Sequence, residues 1–182
     1  MHITPSERLR FRLLDPNNPA DEEHLFQLDQ DPEVMRFISG GKTTQRETLR
    51  DVMLPRLATY TRPEKGWGMW GVFDKENAAF CGWILVRPMH FFSDKPEPDN
   101  LEVGWRFARK YWGQGIATEA ARNIIQALNE LTGINQFSAL AVKDNVGSIR
   151  IMQKLGMQYL SSGVHNDPLG DMLVETYSLM IS

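Results

Sequence analysis

The chain opens with Leu9, Phe11 and Leu13 alternating with Arg8, Arg10 and Arg12, the period of a strand with one buried face. Asn17-Asn18-Pro19 interrupts the alternation, and residues 19–30 predict a helix with Leu25 and Leu28 inward. Asp31-Pro32 reads as a cap followed by a proline at a first helical position, opening a short turn through Phe37 that Gly40-Gly41 breaks. Thr44 and Glu47 have capping-box spacing and predict a third helix to about Tyr60, bent near Pro55.

The period then changes. Residues 69–73, 80–87 and 101–107 are short apolar or alternating segments, the pattern of consecutive strands in a meander. Residues 88–100, with three prolines and mixed charges, predict a long exposed loop between the second and third of these. Ala121, Ile124, Ile125, Leu128 and Leu131 restore a helical face that Gly133 ends. A strand at 137–142, a helix at 145–155 stopped by Gly156, and strands at 157–161 and 174–181 complete the order β-ααα-βββ-α-β-α-ββ. This is a layered α/β domain with about seven strands flanked by helices.

Composition narrows the class without naming a function. At 182 residues, 42% hydrophobic and 24% charged, the chain has the size and make-up of one folded domain, 1–182, rather than of a disordered segment. No apolar run is long enough to span a membrane, and the opening Met1-His2-Ile3-Thr4-Pro5 predicts no secretory leader. The single cysteine, Cys81, forbids an internal disulfide and suits a reducing cytoplasm. A net charge of −3 argues against nucleic-acid binding. His2, His24, His90 and His165 lack metal-ligand spacing, so no metal site is expected.

The most informative stretch is residues 101–121, LEVGWRFARKYWGQGIATEAA, where a strand runs into Gly113-Gln114-Gly115 and a helix follows at once. Glycines there let the backbone approach a ligand and turn N–H groups toward it, and the helix N-terminus adds unpaired donors, so a phosphate fits. The same pattern also serves as a mere tight connection. A P-loop is excluded because no G-x-x-x-x-G-K-[ST] run exists, and a dinucleotide fingerprint because Thr118 stands where its third glycine belongs.

Lys110-Tyr111-Trp112-Gly113-Gln114-Gly115, followed by Ile116-Ala117-Thr118-Glu119-Ala120, resembles the [QR]-x-x-G-x-[GA] motif of the GNAT-type N-acetyltransferases. The string YWGQGIATEA is similar to that of the ribosomal-protein N-terminal acetyltransferase branch. Asn145 to Ser148 and Lys154-Leu155-Gly156-Met157 resemble that branch's second motif, while residues 7–12 and 31–35 resemble its N-terminal landmarks. The resemblance covers nearly the whole chain. It implies a GNAT-like, mostly antiparallel mixed sheet splayed between strands 4 and 5, with acetyl-CoA as acetyl donor. The acceptor would be a primary amine, on a peptide N-terminus or a small molecule, and the protein a monomer or homodimer. It further implies that Lys110, Trp112, Gly113, Gln114, Gly115, Ile116, Ala117, Asn145 and Lys154 meet the coenzyme. Two departures stand out. Lys110 replaces the motif's Gln or Arg, and Met152 occupies the position of the tyrosine many relatives use as general acid.

Acetyl transfer to an amine needs a proton acceptor, an oxyanion donor and a proton for the departing thiolate. Glu102 resembles the family's carboxylate base; read from residue type alone, it is more often a solvated or salt-bridged strand residue. Ser148 matches a serine that donates to the coenzyme's sulfur in the resembling branch, or is an ordinary first-turn serine. Asn145 is a helix cap, a pantetheine contact or both. Trp105 and Phe107 line the cofactor path or belong to the core, and Cys81 reads as a packed thiol. His90 is a second choice of base. Residues 91–104 carry a local charge of −3 and residues 105–112 one of +3, which suggests an acidic side for an amine and a basic side for phosphates. The alternative to an enzyme is a non-catalytic CoA-binding module on the same fold.

Overall fold

The computed structural model of the chain describes residues 1–181. Its centre is a seven-stranded sheet made of β1 (Leu9–Leu13), β2 (Gly68–Asp74), β3 (Phe80–Met89), β4 (Glu97–Phe107), β5 (Gln136–Ala141), β6 (Gln158–His165) and β7 (Met172–Met180). Spatial order is β1-β2-β3-β4-β5-β7-β6, antiparallel throughout except where β5 joins β4 in parallel. The α/β class and the mixed, mostly antiparallel sheet expected from the pattern are both present. In β1, Leu9 and Phe11 are buried and Arg10 and Arg12 exposed, as the alternation requires.

Each face of the sheet has its own core. On one, Leu101, Val103 and Phe107 of β4 pack with Ile116, Ala120, Ala121, Ile124, Ile125 and Leu128 of α5 (Ile116–Thr132) and with Met152 of α6 (Val146–Lys154). On the other, Trp83 and Leu85 of β3 meet Leu25 and Leu28 of α1 (Pro19–Leu28) and Leu54, Leu57 and Tyr60 of α4 (Leu54–Tyr60). Two short turns of helix, α2 (Arg36–Ser39) and α3 (Arg46–Thr48), lie between α1 and α4.

Several sequence expectations change in detail. The expected capping box does not form: Gln45 is the N-cap of α3, and the Thr44 hydroxyl donates instead to Asp29 at 2.8 Å. The long third helix is interrupted by a π turn, Leu49–Met53, whose wide ring is closed by Leu54 N–H on the Leu49 carbonyl. Pro55 follows at once; it lacks an N–H and its ring would collide with a regular helix's preceding turn, so the chain widens just before it. The 88–100 loop is shorter than expected, because β3 continues through Met89 and β4 begins at Glu97 after a register shift at Pro88/Met89. Leu131 is 57% exposed rather than inward; the buried face of α5 ends at Leu128.

Candidate active site

β4 and β5 share only three register positions, Asn100↔Gln136, Leu101↔Phe137 and Glu102↔Ser138. β4 continues five residues further, to Phe107, and β5 three further, to Ala141, with no pairing between them. On its other side β4 is fully paired with β3, and Ala108 N–H donates to the Cys81 carbonyl at 2.9 Å. Alternation back from that bond turns the N–H and C=O groups of Val103, Trp105 and Phe107 toward the open seam. The splay implied by the resemblance is therefore present; the Glu102↔Ser138 ladder position takes up Val103 N–H, and the backbone donors open to the splay are those of Trp105 and Phe107.

The seam leads to the glycine turn. After the 3-10 turn Arg109–Tyr111 come Gly113 (φ 71°) and Gly115 (φ 76°), both left-handed, the conformation for which glycine is suited. Gly115 is the N-cap of α5 and contributes no side-chain cap. The first bond into the helix is Glu119 N–H to the Gly115 carbonyl, and the N–H groups of residues 113–118 make no hydrogen bond among the described residues. Such a row of free donors at the positive end of a 17-residue helix is a ready site for an anion. The Gln114 side chain folds back to the Lys110 carbonyl (2.6 Å), and exposed Trp112 donates its indole N–H to the Phe107 carbonyl (2.8 Å).

α6 begins opposite the turn. The Asn145 side-chain oxygen accepts from Ser148 N–H at 3.2 Å, so it caps the helix and keeps its amide donors free. Ser148 Oγ in turn accepts the Trp105 indole N–H at 3.2 Å, a bond reaching from β4 to the helix after β5. The Ser148 proton remains available to a group in the seam. Phe107, grouped with Trp105 in the sequence reading, lies in the core at 4% exposure; only its backbone reaches the seam. Met152 is wholly buried, so no proton donor projects from that position.

On the opposite face of β4, Glu102 accepts from Arg87 Nε (2.8 Å) and Nη2 (3.2 Å), and both residues are 7% exposed. Burial lowers the Arg87 pKa, but the Glu102 carboxylate outweighs it and the net shift is upward. The Arg87 guanidinium lies 5.4 Å from the Tyr60 ring centre and 5.2 Å from that of Phe92. Arg87 escaped the sequence reading, although one arginine inside the apolar run of β3 is itself a signal of a buried partner. Above this pair, Arg56 of α4 bonds Asp167 of the 166–171 loop and stacks 3.8 Å over Phe92. Cys81 is buried, its thiol pushed up by burial, and it packs as expected.

The charge change along residues 91–112 does not produce two free faces. Arg106 pairs with Asp29 and Arg109 with Asp31, leaving Lys110, 4.9 Å from the Tyr111 ring centre, as the cation of that run without an ion pair among the described residues. Other cations gather at a groove of about 540 Å³ beside α5, lined by Ser6, Arg8, Gly115, Glu119, Arg122 and Lys154 among others. Arg122 donates to the Lys154 carbonyl at 2.7 Å and joins the two helices there. Among the described residues, no cluster of side chains suits a metal ion and no helix is long and apolar enough to cross a membrane.

Residues 8–158 match the family model described as Acetyltransferase (GNAT) domain. The chain is 32% identical over 156 residues to the uncharacterized protein YkkB of Bacillus subtilis, covering 85% of this chain and 84% of that one. It is 29% identical over 152 residues to the FsC-acetyl coenzyme A-N(2)-transacetylase of Aspergillus fumigatus, covering 79% of this chain and 62% of the relative. The crystal structure of a GNAT-family acetyltransferase from Bacillus anthracis superposes with a TM-score of 0.75 at 22% identity, covering 99% and 98% of the two chains. With its open β4–β5 seam, its glycine turn and a family match over most of its length, the chain belongs to the GNAT acetyltransferases.

Proposed function

We propose that residues 1–182 form a single acetyl-CoA-dependent N-acetyltransferase that passes an acetyl group to a primary amine, on a protein N-terminus or a small molecule. The observation that carries this reading is the row of unpartnered N–H groups at residues 113–118, set at the mouth of the open seam. A pyrophosphate matches those donors, and Lys110 and the groove cations Arg122 and Lys154 supply further positive charge. The slender pantetheine arm fits the seam between β4 and β5, where the amide donors of Asn145 are free.

In this reading the neutral amine attacks the thioester carbonyl directly, loses a proton, and the thiolate departs with one. Trp105 N–H is the candidate oxyanion donor, since it faces the seam beyond the last ladder position. Ser148 Oγ is the candidate donor to sulfur, oriented by the Trp105 indole. Glu102 is the candidate proton acceptor; each carboxylate oxygen takes one bond from Arg87 and retains a lone pair for a water or the amine. The motif strings further support the ribosomal-protein N-terminal acetyltransferase branch, and the single buried thiol supports a reducing compartment.

The test is free-thiol release from acetyl-CoA by the purified chain, with peptides, polyamines and amino sugars offered as acceptors. Acceptor-dependent release is expected; none across the panel overturns the proposal. The engagement of both Glu102 oxygens by Arg87 favours one second reading, a CoA-binding module without turnover. That reading requires thermal stabilisation by coenzyme A together with silence on every acceptor.

A further inference from the structure

We propose that Arg8 is the positioning residue of the glycine turn, fixing the peptide planes on which coenzyme phosphate binding depends. This rests on the acetyl-CoA reading above and assigns a residue outside the turn to it. Arg8 precedes β1, at the far edge of the half-sheet β1-β2-β3-β4, yet its guanidinium reaches the turn that follows β4. Nη1 donates to the Gln114 carbonyl at 3.0 Å, between the two left-handed glycines. Nε and Nη2 hold Glu119 Oε2 at 2.7 and 2.6 Å, in the first turn of α5.

Geometry gives this contact its meaning. In a trans peptide the C=O and the next N–H point in opposite directions. A guanidinium that holds the Gln114 carbonyl on one side therefore turns the Gly115 N–H to the other, into the row of free donors. Left-handed glycines on both sides of one residue resist rotation little by themselves, and no other side chain is bonded to the Gln114 carbonyl among the described residues.

Charge adds a second effect. Glu119 is a carboxylate one helical turn from the donors, where it would repel a phosphate. Here its charge is met by its own partners: Oε1 accepts from the Ser6 hydroxyl (2.7 Å) and Arg8 N–H (3.0 Å), and Oε2 from the guanidinium. The anchor is itself braced, since Arg8 C=O accepts from Lys75 N–H and Ser6 Oγ from Leu9 N–H. The site thus keeps its positive end unopposed.

The experiment compares wild type, Arg8→Ala and Arg8→Lys by calorimetry with coenzyme A and by steady-state kinetics. Arg8→Ala is expected to weaken coenzyme A binding and raise the acetyl-CoA KM about tenfold, the worth of one charge-assisted hydrogen bond. Its kcat and amine KM should stay within about twofold, a split that general destabilisation would not give. Arg8→Lys keeps the charge but not the planar fork, and should recover only part of the loss. Should Arg8→Ala fail to fold, Arg8→Lys carries the test, with at least about threefold weaker binding expected. Unchanged coenzyme A affinity in the folded variants overturns the role of Arg8. Failure of wild type itself to bind coenzyme A overturns the parent reading instead.

Discussion

Arg87 and Glu102 stand directly opposite each other on β3 and β4 and share two hydrogen bonds at a site almost closed to solvent. Neither charge has bulk water to fall back on, so each depends on the other. Arg87→Met should destabilise the fold by about 3–5 kcal/mol by leaving a buried carboxylate alone. The double variant Arg87→Met with Glu102→Leu should recover most of that, because two apolar side chains need no partner. Urea unfolding of the four corners of the cycle is the measurement; additive losses would show that the residues do not depend on one another.

Glu102→Gln tests the proton-acceptor role separately. The amide keeps one acceptor oxygen for Arg87 and removes the basic group, so turnover should fall about tenfold or more while coenzyme A affinity holds. An unaltered pH–rate profile in this variant would take Glu102 out of the reaction.

The Trp105–Ser148 bond makes a paired prediction. Ser148→Ala removes the acceptor of a partly buried indole N–H and should cost about 0.5–1.5 kcal/mol of stability. If the hydroxyl also serves the departing sulfur, kcat falls more than that loss of stability accounts for. Trp105→Phe removes the same hydrogen bond but leaves the hydroxyl, so it should reproduce the stability change and spare most of kcat. Equal kcat losses in the two variants would mean that Ser148 acts only through packing.

Asp21 is fully buried beneath β1 and bonded to both Arg12 amino groups and the Asp15 N–H. Burial raises its pKa, but the Arg12 and Asp15 bonds outweigh this, and the net value lies below the ordinary 3.8. A depressed carboxyl contributes stability that is complete above its unfolded pKa and disappears as pH falls through the folded one. Asp21→Asn should therefore cost about 1–2 kcal/mol near neutrality, a figure reduced because Arg12 is half exposed. The gap in melting temperature between the two proteins should close as pH drops below 3.8. A gap that persists in strong acid would refute the linkage.

Tyr60 is pushed up to about 12, first by its burial. A phenol that is harder to ionise in the folded state stabilises the fold below pH 10 and loses that contribution as pH rises toward 12. The ultraviolet titration of wild type minus Tyr60→Phe should show no phenolate near pH 10; a normal transition there would place the ring in water.

The alternation of Leu9, Phe11 and Leu13 and the helical face of α5 were legible because single periods decide them, and the glycine turn because only glycine suits its backbone. What sequence could not supply is pairing at a distance. Glu102 gave no hint that Arg87, fifteen positions earlier, would engage it, and Arg8 lies more than a hundred positions from Glu119. Thr44 misled for the same reason: its local spacing favoured a capping box, but Asp29 offered the hydroxyl a charged acceptor. The sign change along residues 91–112 dissolved likewise, once Asp29 and Asp31 from another part of the chain met Arg106 and Arg109.

Three ladder positions are a slender seam for a seven-stranded sheet. In effect they hinge two panels, β1 through β4 and β5 through β7, with α5 as the spring between them. Anything threaded between the panels touches both, so its binding energy counts toward keeping each of them closed. Hydrogen exchange should then find two opening units in the free protein, and the same amides protected as one block when the gap is filled. The donor would be a keystone as well as a reactant, and release of the spent coenzyme the moment at which the arch loosens.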